Sequence, residues 1–355
     1  MAKARQYTSL IINQPLIYFV QSKKPMREVE ILAERLKDGD KRALSKALTL
    51  AESVNHDHMT QLSELFRKLK NIKHKSLKLA ISGSPGVGKS TFIEAMGLYL
   101  CNHGYSVAVL AVDPSSPKSG GSILGDKTRM NELAAMNSAF IRPTPSDGNL
   151  GGVARSTENS IKLCEVVGFD FILVETLGVG QGEFSVRKMT DMFVLILSPL
   201  GGDDLQGIKK GIVELADMIL VNKSDGDHEH LAANTLLHYE SALKVSRKKL
   251  KGWDVPVRRI SALNSTGIGE VYSDIKRFKS QNIRKNAHIF ESEFRVKEDI
   301  MKDASGLILN HINSSPILSK HVTDLSKEVL EGRISVKFAA KQMLSYYSAD
   351  ADKNK

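Results

Sequence analysis

The segment Gly83-Ser84-Pro85-Gly86-Val87-Gly88-Lys89-Ser90-Thr91 leaves the chain little choice of architecture. It matches GxxxxGK[ST], a loop whose glycines let successive backbone N–H groups curl around a phosphate. Such a loop works between a buried strand and a helix whose N-terminus faces the anion. Here it follows the apolar run Leu77 to Ile81, and a helix opening at Thr91 is predicted. Lys89 is expected on the β- and γ-phosphate oxygens of a nucleotide and Ser90 on Mg²⁺. A chance glycine-rich turn would not need a strand before it and a helix after it.

The rest of the chain supplies the sheet that such a loop requires. Short β-rich runs recur at Val107 to Val112, Phe171 to Val174, Met192 to Leu197, Met218 to Val221 and Val257 to Ile260, with helical stretches between them. Alternating buried strands and helices predict an α/β fold, a mostly parallel P-loop NTPase sheet with helices on both faces. Ligands of such a sheet bind at the carboxyl ends of its strands. The organisation expected is a flexible N-terminus over 1–26, an N-terminal helical extension over 27–75, the nucleotide domain over 76–282 and a C-terminal helical extension over 283–355. In the first extension Val29, Leu32, Leu36, Leu44, Leu48, Leu50 and Val54 recur at helical spacing around a Gly39-Asp40 break. In the last, Ala304, Leu307, Ile308 and His311 fall on one stripe and Leu325, Val329 and Leu330 on another.

Base identity is carried by Asn222-Lys223-Ser224-Asp225, which follows Val221. A carboxylate at Asp225 accepts from both guanine N1–H and the 2-amino group, a donor pair that adenine lacks. Asn and Asp are common in turns, so this motif alone is weak. Its place after a later strand, with Ser261-Ala262-Leu263 after the run Val257 to Ile260, makes it specific. GTP and GDP are therefore the expected ligands.

The acids that would hold Mg²⁺ lie after two other runs. Glu175-Thr176-Leu177-Gly178 puts an acid near the metal and a glycine N–H near the γ-phosphate. Val179 next to it cannot orient a water, so intrinsic hydrolysis is expected to be slow. Gln181 either substitutes for it or faces solvent. Asp113 closes the second run ahead of a loop rich in Pro, Ser and Gly that is suited to a mobile switch, and this loop contains Asp126 and Thr128. Asp113 and Asp126 are candidate metal carboxylates; a turn or helix-capping acid is the plainer alternative for each.

The formal charge of +10 admits nucleic acid or an anionic membrane as partner. The basic runs Lys68 to Lys78 and Arg247 to Arg259 do not interleave their charges with several aromatics, however, and read as solvated surface rather than a base-stacking platform. No apolar stretch approaches the roughly 18 residues of a membrane span. Cys101 and Cys164 lie far apart without metal-like spacing, which fits a reducing compartment. Residues 1–27 carry Lys3, Arg5, Lys23, Lys24 and Arg27 and no acid around an apolar patch. A flexible bacterial N-terminus, with a cytoplasmic protein, is the first reading; an organellar presequence and the mitochondrial matrix are the second.

Beyond these motifs, Asp113 to Met130, Arg142-Pro143-Thr144-Pro145 to Thr157, Glu175 to Gln181 and Gly201 to Gly211 closely resemble the MeaB/ArgK/methylmalonic-aciduria type A family. The resemblance runs from about Leu32 to Tyr346. It implies a GTPase chaperone of an adenosylcobalamin-dependent acyl-CoA mutase, chiefly methylmalonyl-CoA mutase, that gates cofactor loading and removes inactivated cofactor. It implies a homodimer assembled through the C-terminal arm, and Mg²⁺ with Asp113, Asp126 and Glu175 as the matching acids. It also implies a third switch loop over Gly201 to Gly211, in which Asp203, Asp204, Gln206, Lys209 and Lys210 report nucleotide state to the mutase. Two positions depart from the family's usual letters. Gly182 stands where a serine is usual and loosens its loop, and Asp204 stands where a glutamate is usual.

Two other occupations of the same fold compete. A GTP-dependent metallochaperone would need a His or Cys cluster, and His56 with His58 and His228 with His230 form only loose pairs. A P-loop kinase linked to amino-acid transport would need a general base at a substrate pocket and would leave Asp225 without a task.

Overall fold

The computed structural model describes residues 23–53, 55–70, 72, 75–113, 130–145, 150–176, 181–199, 210–245, 252–281 and 293–353. The chain forms two compact units, Met1–Arg284 and Lys285–Lys355.

The first unit opens with three helices, α1 (Lys23–Lys37), α2 (Lys41–Glu52) and α3 (His56–Leu69). Asp40 caps α2, its side chain accepting from the backbone N–H groups of Arg42 and Ala43, which satisfies donors that a helix start leaves unpaired. Val29, Leu32, Leu36, Leu44, Leu48 and Leu50 are all buried, so the helical periodicity of this segment is the stripe it packs inward. Arg142 ties the far end of α2 to the sheet through a bidentate pair with Glu52.

The sheet follows, with its strands and helices alternating: β1 (Leu77–Ser82), α4 (Lys89–Asn102), β2 (Val107–Asp113), α5 (Asn131–Ala135), β3 (Ala139–Pro145), α6 (Leu150–Val167), β4 (Phe171–Glu175), α7 (Gln181–Met189), β5 (Met192–Leu197), α8 (Lys210–Val213), β6 (Met218–Val221), α9 (Glu229–Val245), β7 (Val257–Arg259) and α10 (Ile268–Ser280). Among the described residues the seven strands pair in the order β3-β2-β4-β1-β5-β6-β7, every pair parallel. The predicted α/β P-loop fold is the one observed. The six apolar runs are strands to within a residue at each end. The seventh strand, β3, interrupts its apolar pattern with Pro143 and Pro145; it lies at the sheet edge, where a missing N–H leaves no neighbour unpaired.

The sheet is buried on both sides. Ala80, Ile172, Val174, Phe193 and Leu195 face α1–α3, α6 and α7, in a cluster that includes Cys164. Leu79, Ile81, Leu173, Val194 and Ile196 face α4, α5 and α10, in a cluster that includes Cys101. Both thiols are free and buried, and burial raises the Cys164 thiol above its ordinary range.

The second unit carries α11 (Glu293–Ser314), α12 (Pro316–Leu330) and α13 (Val336–Lys353). Ser315 caps α12 with Pro316 at its first position, and the His321 ring stacks on Tyr346 at 4.0 Å. Ile312, Leu318 and Leu325 are buried, whereas Leu307, Leu309, Leu330, Val336, Phe338 and Leu344 are exposed. No helix among the described residues is long and apolar enough to cross a membrane.

Candidate nucleotide site

The phosphate loop leaves β1 at Gly83 and enters α4 at Lys89, two residues earlier than the expected helix start. Two glycines set its path. At Gly83 a Cβ would collide with the Ile196 carbonyl of β5, so the loop lies directly on the neighbouring strand. Gly88 caps α4 in the left-handed region at φ 94°, and a Cβ there would strike Asn222 Nδ2. Ser84, Pro85 and Gly86 are exposed at the crest while Val87 is buried beneath it, and Thr91 is exposed on the first turn of α4.

Lys89 folds back over its own loop, donating to Gly83 O at 2.9 Å and Ser84 O at 3.3 Å. Burial lowers the proton affinity of its ammonium, and the charges of Glu175 and Glu183 oppose that effect. The lysine is thus a buried cation held by two carbonyls, in a position to exchange them for phosphate oxygens.

Ser90 and Glu175, from opposite sides of the 83–88 loop, meet at the top of the sheet: Ser90 Oγ donates to Glu175 Oε1 at 3.0 Å. Ile81 and Glu175 are register partners on β1 and β4, which is why residues 85 apart converge. A hydroxyl and a carboxylate beside the phosphate loop are the hard oxygen donors that Mg²⁺ takes, so this pair fits the ion. Asp113 ends β2, next to β4 in the sheet; its side chain, with Asp126 and Gly178, lies outside the described residues. Gln181 is the first residue of α7, and its side chain also lies outside them.

Asn222 is the hub of the base side. It is almost wholly buried at 2% exposure; Nδ2 donates to Val87 O at 2.8 Å and Oδ1 accepts from Ala262 N–H at 2.9 Å. One side chain therefore pins the phosphate loop to the Ser261-Ala262-Leu263 segment. Lys223 adopts φ 58°, a conformation unusual for a residue with a Cβ, and Ser224 N–H then returns to Ile260 O at 3.1 Å. Asp225 opens a 3₁₀ turn without capping it, leaving its carboxylate unused by that turn. Ser261 and Ala262 are buried and Leu263 is 79% exposed, the Ser261–Thr266 bridge closing their loop.

Asp203, Asp204, Gln206 and Lys209 lie outside the described residues, as does the side chain of Lys210, the first residue of α8. The segments flanking that loop are joined by a buried ion pair that sequence reading missed. Arg187 on α7 meets Asp217 at 2.8 Å, the two side chains 7% and 1% exposed. Asp217 also accepts from Phe193 N–H at 2.8 Å, and its backbone carbonyl accepts from Trp253 Nε1. Burial pushes the Asp217 carboxyl up to about 7 against the opposing pull of Arg187 and the Phe193 N–H. Glu183, which no sequence motif singles out, is 1% exposed, and neither carboxylate oxygen has a hydrogen-bond partner among the described residues.

The geometry agrees with what the chain is similar to. Residues 44–316 match the family model described as methylmalonyl Co-A mutase-associated GTPase MeaB. A mouse protein named methylmalonic aciduria type A homolog, mitochondrial, is 40% identical over 339 residues, covering 92% of this chain and 81% of its own. GTPase ArgK of Escherichia coli is 40% identical over 312 residues, covering 88% of this chain and 94% of its own. A solved structure titled LAO/AO transport system kinase superposes with a TM-score of 0.65 at 32% identity, covering 91% of this chain and 98% of that one. The phosphate loop, the Ser90–Glu175 pair and the Asn222 bridge thus sit in a chain that belongs to the MeaB family of P-loop GTPases.

Proposed function

We propose that the protein is a GTPase chaperone of an adenosylcobalamin-dependent acyl-CoA mutase, most simply methylmalonyl-CoA mutase, and that GTP binding and hydrolysis gate cofactor loading and the removal of inactivated cofactor. The observation that supports it most is the assembled nucleotide site in a chain 40% identical, over 92% of its length, to a methylmalonic aciduria type A homolog.

In this reading Lys89 leaves Gly83 O and Ser84 O for the β- and γ-phosphate oxygens, with the N–H groups of residues 84–91 cradling the phosphates. Ser90 and Glu175, with Asp113 and Asp126, hold Mg²⁺, which supplies charge neutralisation to the phosphates when bound. Asp225 selects guanine, and Asn222 keeps the base loop and phosphate loop at fixed separation. Gly178 N–H meets the γ-phosphate and Gln181 orients water, while Val179 leaves turnover slow until the mutase binds. Asp203, Asp204, Gln206, Lys209 and Lys210 carry nucleotide state to that partner. The exposed apolar side chains of α11–α13, among them Leu307, Leu330 and Phe338, support a homodimer through 285–355. A bacterial cytoplasmic setting accords with the E. coli relative and a mitochondrial matrix setting with the mouse one.

The test is GTP turnover with and without purified methylmalonyl-CoA mutase, alongside adenosylcobalamin transfer followed by its visible spectrum. Stimulated turnover and GTP-dependent transfer are expected. GTP hydrolysis that no acyl-CoA mutase stimulates would overturn the chaperone role and leave the GTPase.

A further inference from the structure

Two acids lie near the strand ends that carry the phosphate loop, Glu175 closing β4 and Glu183 in the first turn of α7, and they differ in one respect. Glu175 accepts a hydrogen bond from Ser90. Glu183 accepts none among the described residues: both of its oxygens are buried without a hydrogen-bond partner there, and the residue is 1% exposed. A carboxylate taken out of water at such a place costs several kcal/mol in order-of-magnitude terms unless charges or donors replace the solvent. Folding alone gives no reason to keep it, since the uncharged isostere fits the same space.

Its position supplies the reason. Glu183 lies in the first turn of α7, immediately after the 177–180 segment that leads from β4 and the Glu175 end of the site. The helix packs against β1 and α6, on the sheet face where Ala80, Ile172 and Val174 lie. Glu175 points to the opposite face, toward α4. The two acids therefore flank the end of β1, from which the phosphate loop leaves, on opposite faces of the sheet. At the same strand ends Ser82 Oγ and Thr176 Oγ1 are also buried without hydrogen-bond partners among the described residues. Ile81 and Glu175 are in register, so the next residues, Ser82 and Thr176, are neighbours on the α7 side. Unpaired acceptors and hydroxyls gathered beside a phosphate seat are the surroundings an ordered water needs.

We propose that Glu183 is a catalytic residue of the GTPase reaction, its carboxylate accepting a hydrogen bond from the water that attacks the γ-phosphorus. This rests on the GTPase reading of the site. The bond formed is from the water oxygen to the γ-phosphorus, and the bond broken joins that phosphorus to the β-phosphate bridging oxygen. The bridging oxygen keeps the electron pair as GDP departs. The water proton passes to Glu183 and from it to the inorganic phosphate, returning the carboxylate to its starting state. The role is one that Val179 has no group to fill.

The experiment compares wild type with Glu183→Gln and Glu183→Asp. Single-turnover hydrolysis of Mg²⁺-GTP, affinity for a non-hydrolysable GTP analogue and thermal melting are measured on the same preparations. Glu183→Gln is expected to lose at least 30-fold in hydrolysis rate, to bind the analogue within threefold of wild type and to melt at the same temperature or higher. Glu183→Asp, whose carboxylate is withdrawn by one methylene, is expected to fall between them in rate. A Gln variant that hydrolyses GTP within threefold of wild type overturns the proposal. So does a loss of analogue affinity equal to the loss of rate, which would make Glu183 a support for Lys89. A Gln variant that melts well below wild type, with Asp fully active, assigns the acid to folding and overturns it too. Wild type that fails to hydrolyse GTP would remove the GTPase reading itself, an outcome distinguished by the failure of all three proteins alike.

Discussion

Replacing Asn222 by alanine removes two buried hydrogen bonds at once, to Val87 O and from Ala262 N–H. Neither partner gains access to water, because Val87 and Ala262 are both at most 5% exposed. Each buried group left unpaired costs about 1–3 kcal/mol, so the total is about 2–6 kcal/mol. At roughly 2–4 °C per kcal/mol for a domain of this size, the melting temperature should fall by about 4–24 °C. Gly88 provides an independent check on the same bridge, because its Cβ would displace Asn222 Nδ2. Gly88→Ala should therefore be strongly destabilising in the wild-type background and markedly less so once Asn222 is alanine, leaving only the cost of a side chain at φ 94°. Melting curves of the four proteins, with and without GDP, form a double-mutant cycle. Asn222→Ala melting within about 1 °C of wild type, or penalties that simply add, would refute the view that Asn222 clamps the two loops.

Two further outcomes follow from the base and the buried ion pair. Asp225→Asn should move nucleotide preference from GTP toward xanthosine triphosphate, since an amide donates to the xanthine 2-oxygen; unchanged GTP affinity in a calorimetric titration would remove Asp225 from base recognition. Asp217, with its carboxyl raised from 3.8 to about 7 by burial, holds more protons folded than unfolded between those values, so its contribution to stability declines as pH rises through that window. Wild type should accordingly lose stability relative to Asp217→Asn between pH 4 and pH 7, read from denaturant midpoints; a constant difference would show that the pair with Arg187 stays ionised throughout.

Much of this fold is visible in the chain because its strands are buried on both sides and so appear as short continuous apolar runs. The run Met192 to Leu197 is a strand of six wholly buried residues, and no amphipathic reading competes with it. β3 hides because Pro143 and Pro145 are the residues that ordinarily exclude a strand, and only its edge position admits them. Within the site, Lys89, Ser90 and Glu175 are legible because contiguous motifs fix their backbone. Asn222 was legible as a guanine-motif letter but not as a bridge, since its partners lie 135 and 40 residues away. Glu183, Arg187 and Asp217 carry no local signature: a glutamate or arginine in a helix reads as solvated surface until the sheet packs over it. The letters of a motif give identities; burial, which decides what a charge costs and does, comes from the tertiary fold.

The two cysteines divide the molecule in a way useful at the bench. Cys101 sits on the α4 side of the sheet and Cys164 on the α6 side, and neither is tied up in a bond. A thiol reagent reaches either one only when its own layer lifts away, and the two alkylated peptides differ in mass. Pulsed alkylation read by mass spectrometry therefore clocks the opening of each layer separately in unmodified protein. Opening slowed by nucleotide on the α4 layer, which carries the phosphate loop's helix, but not on the α6 layer would locate where ligand binding stiffens the structure without a single engineered label.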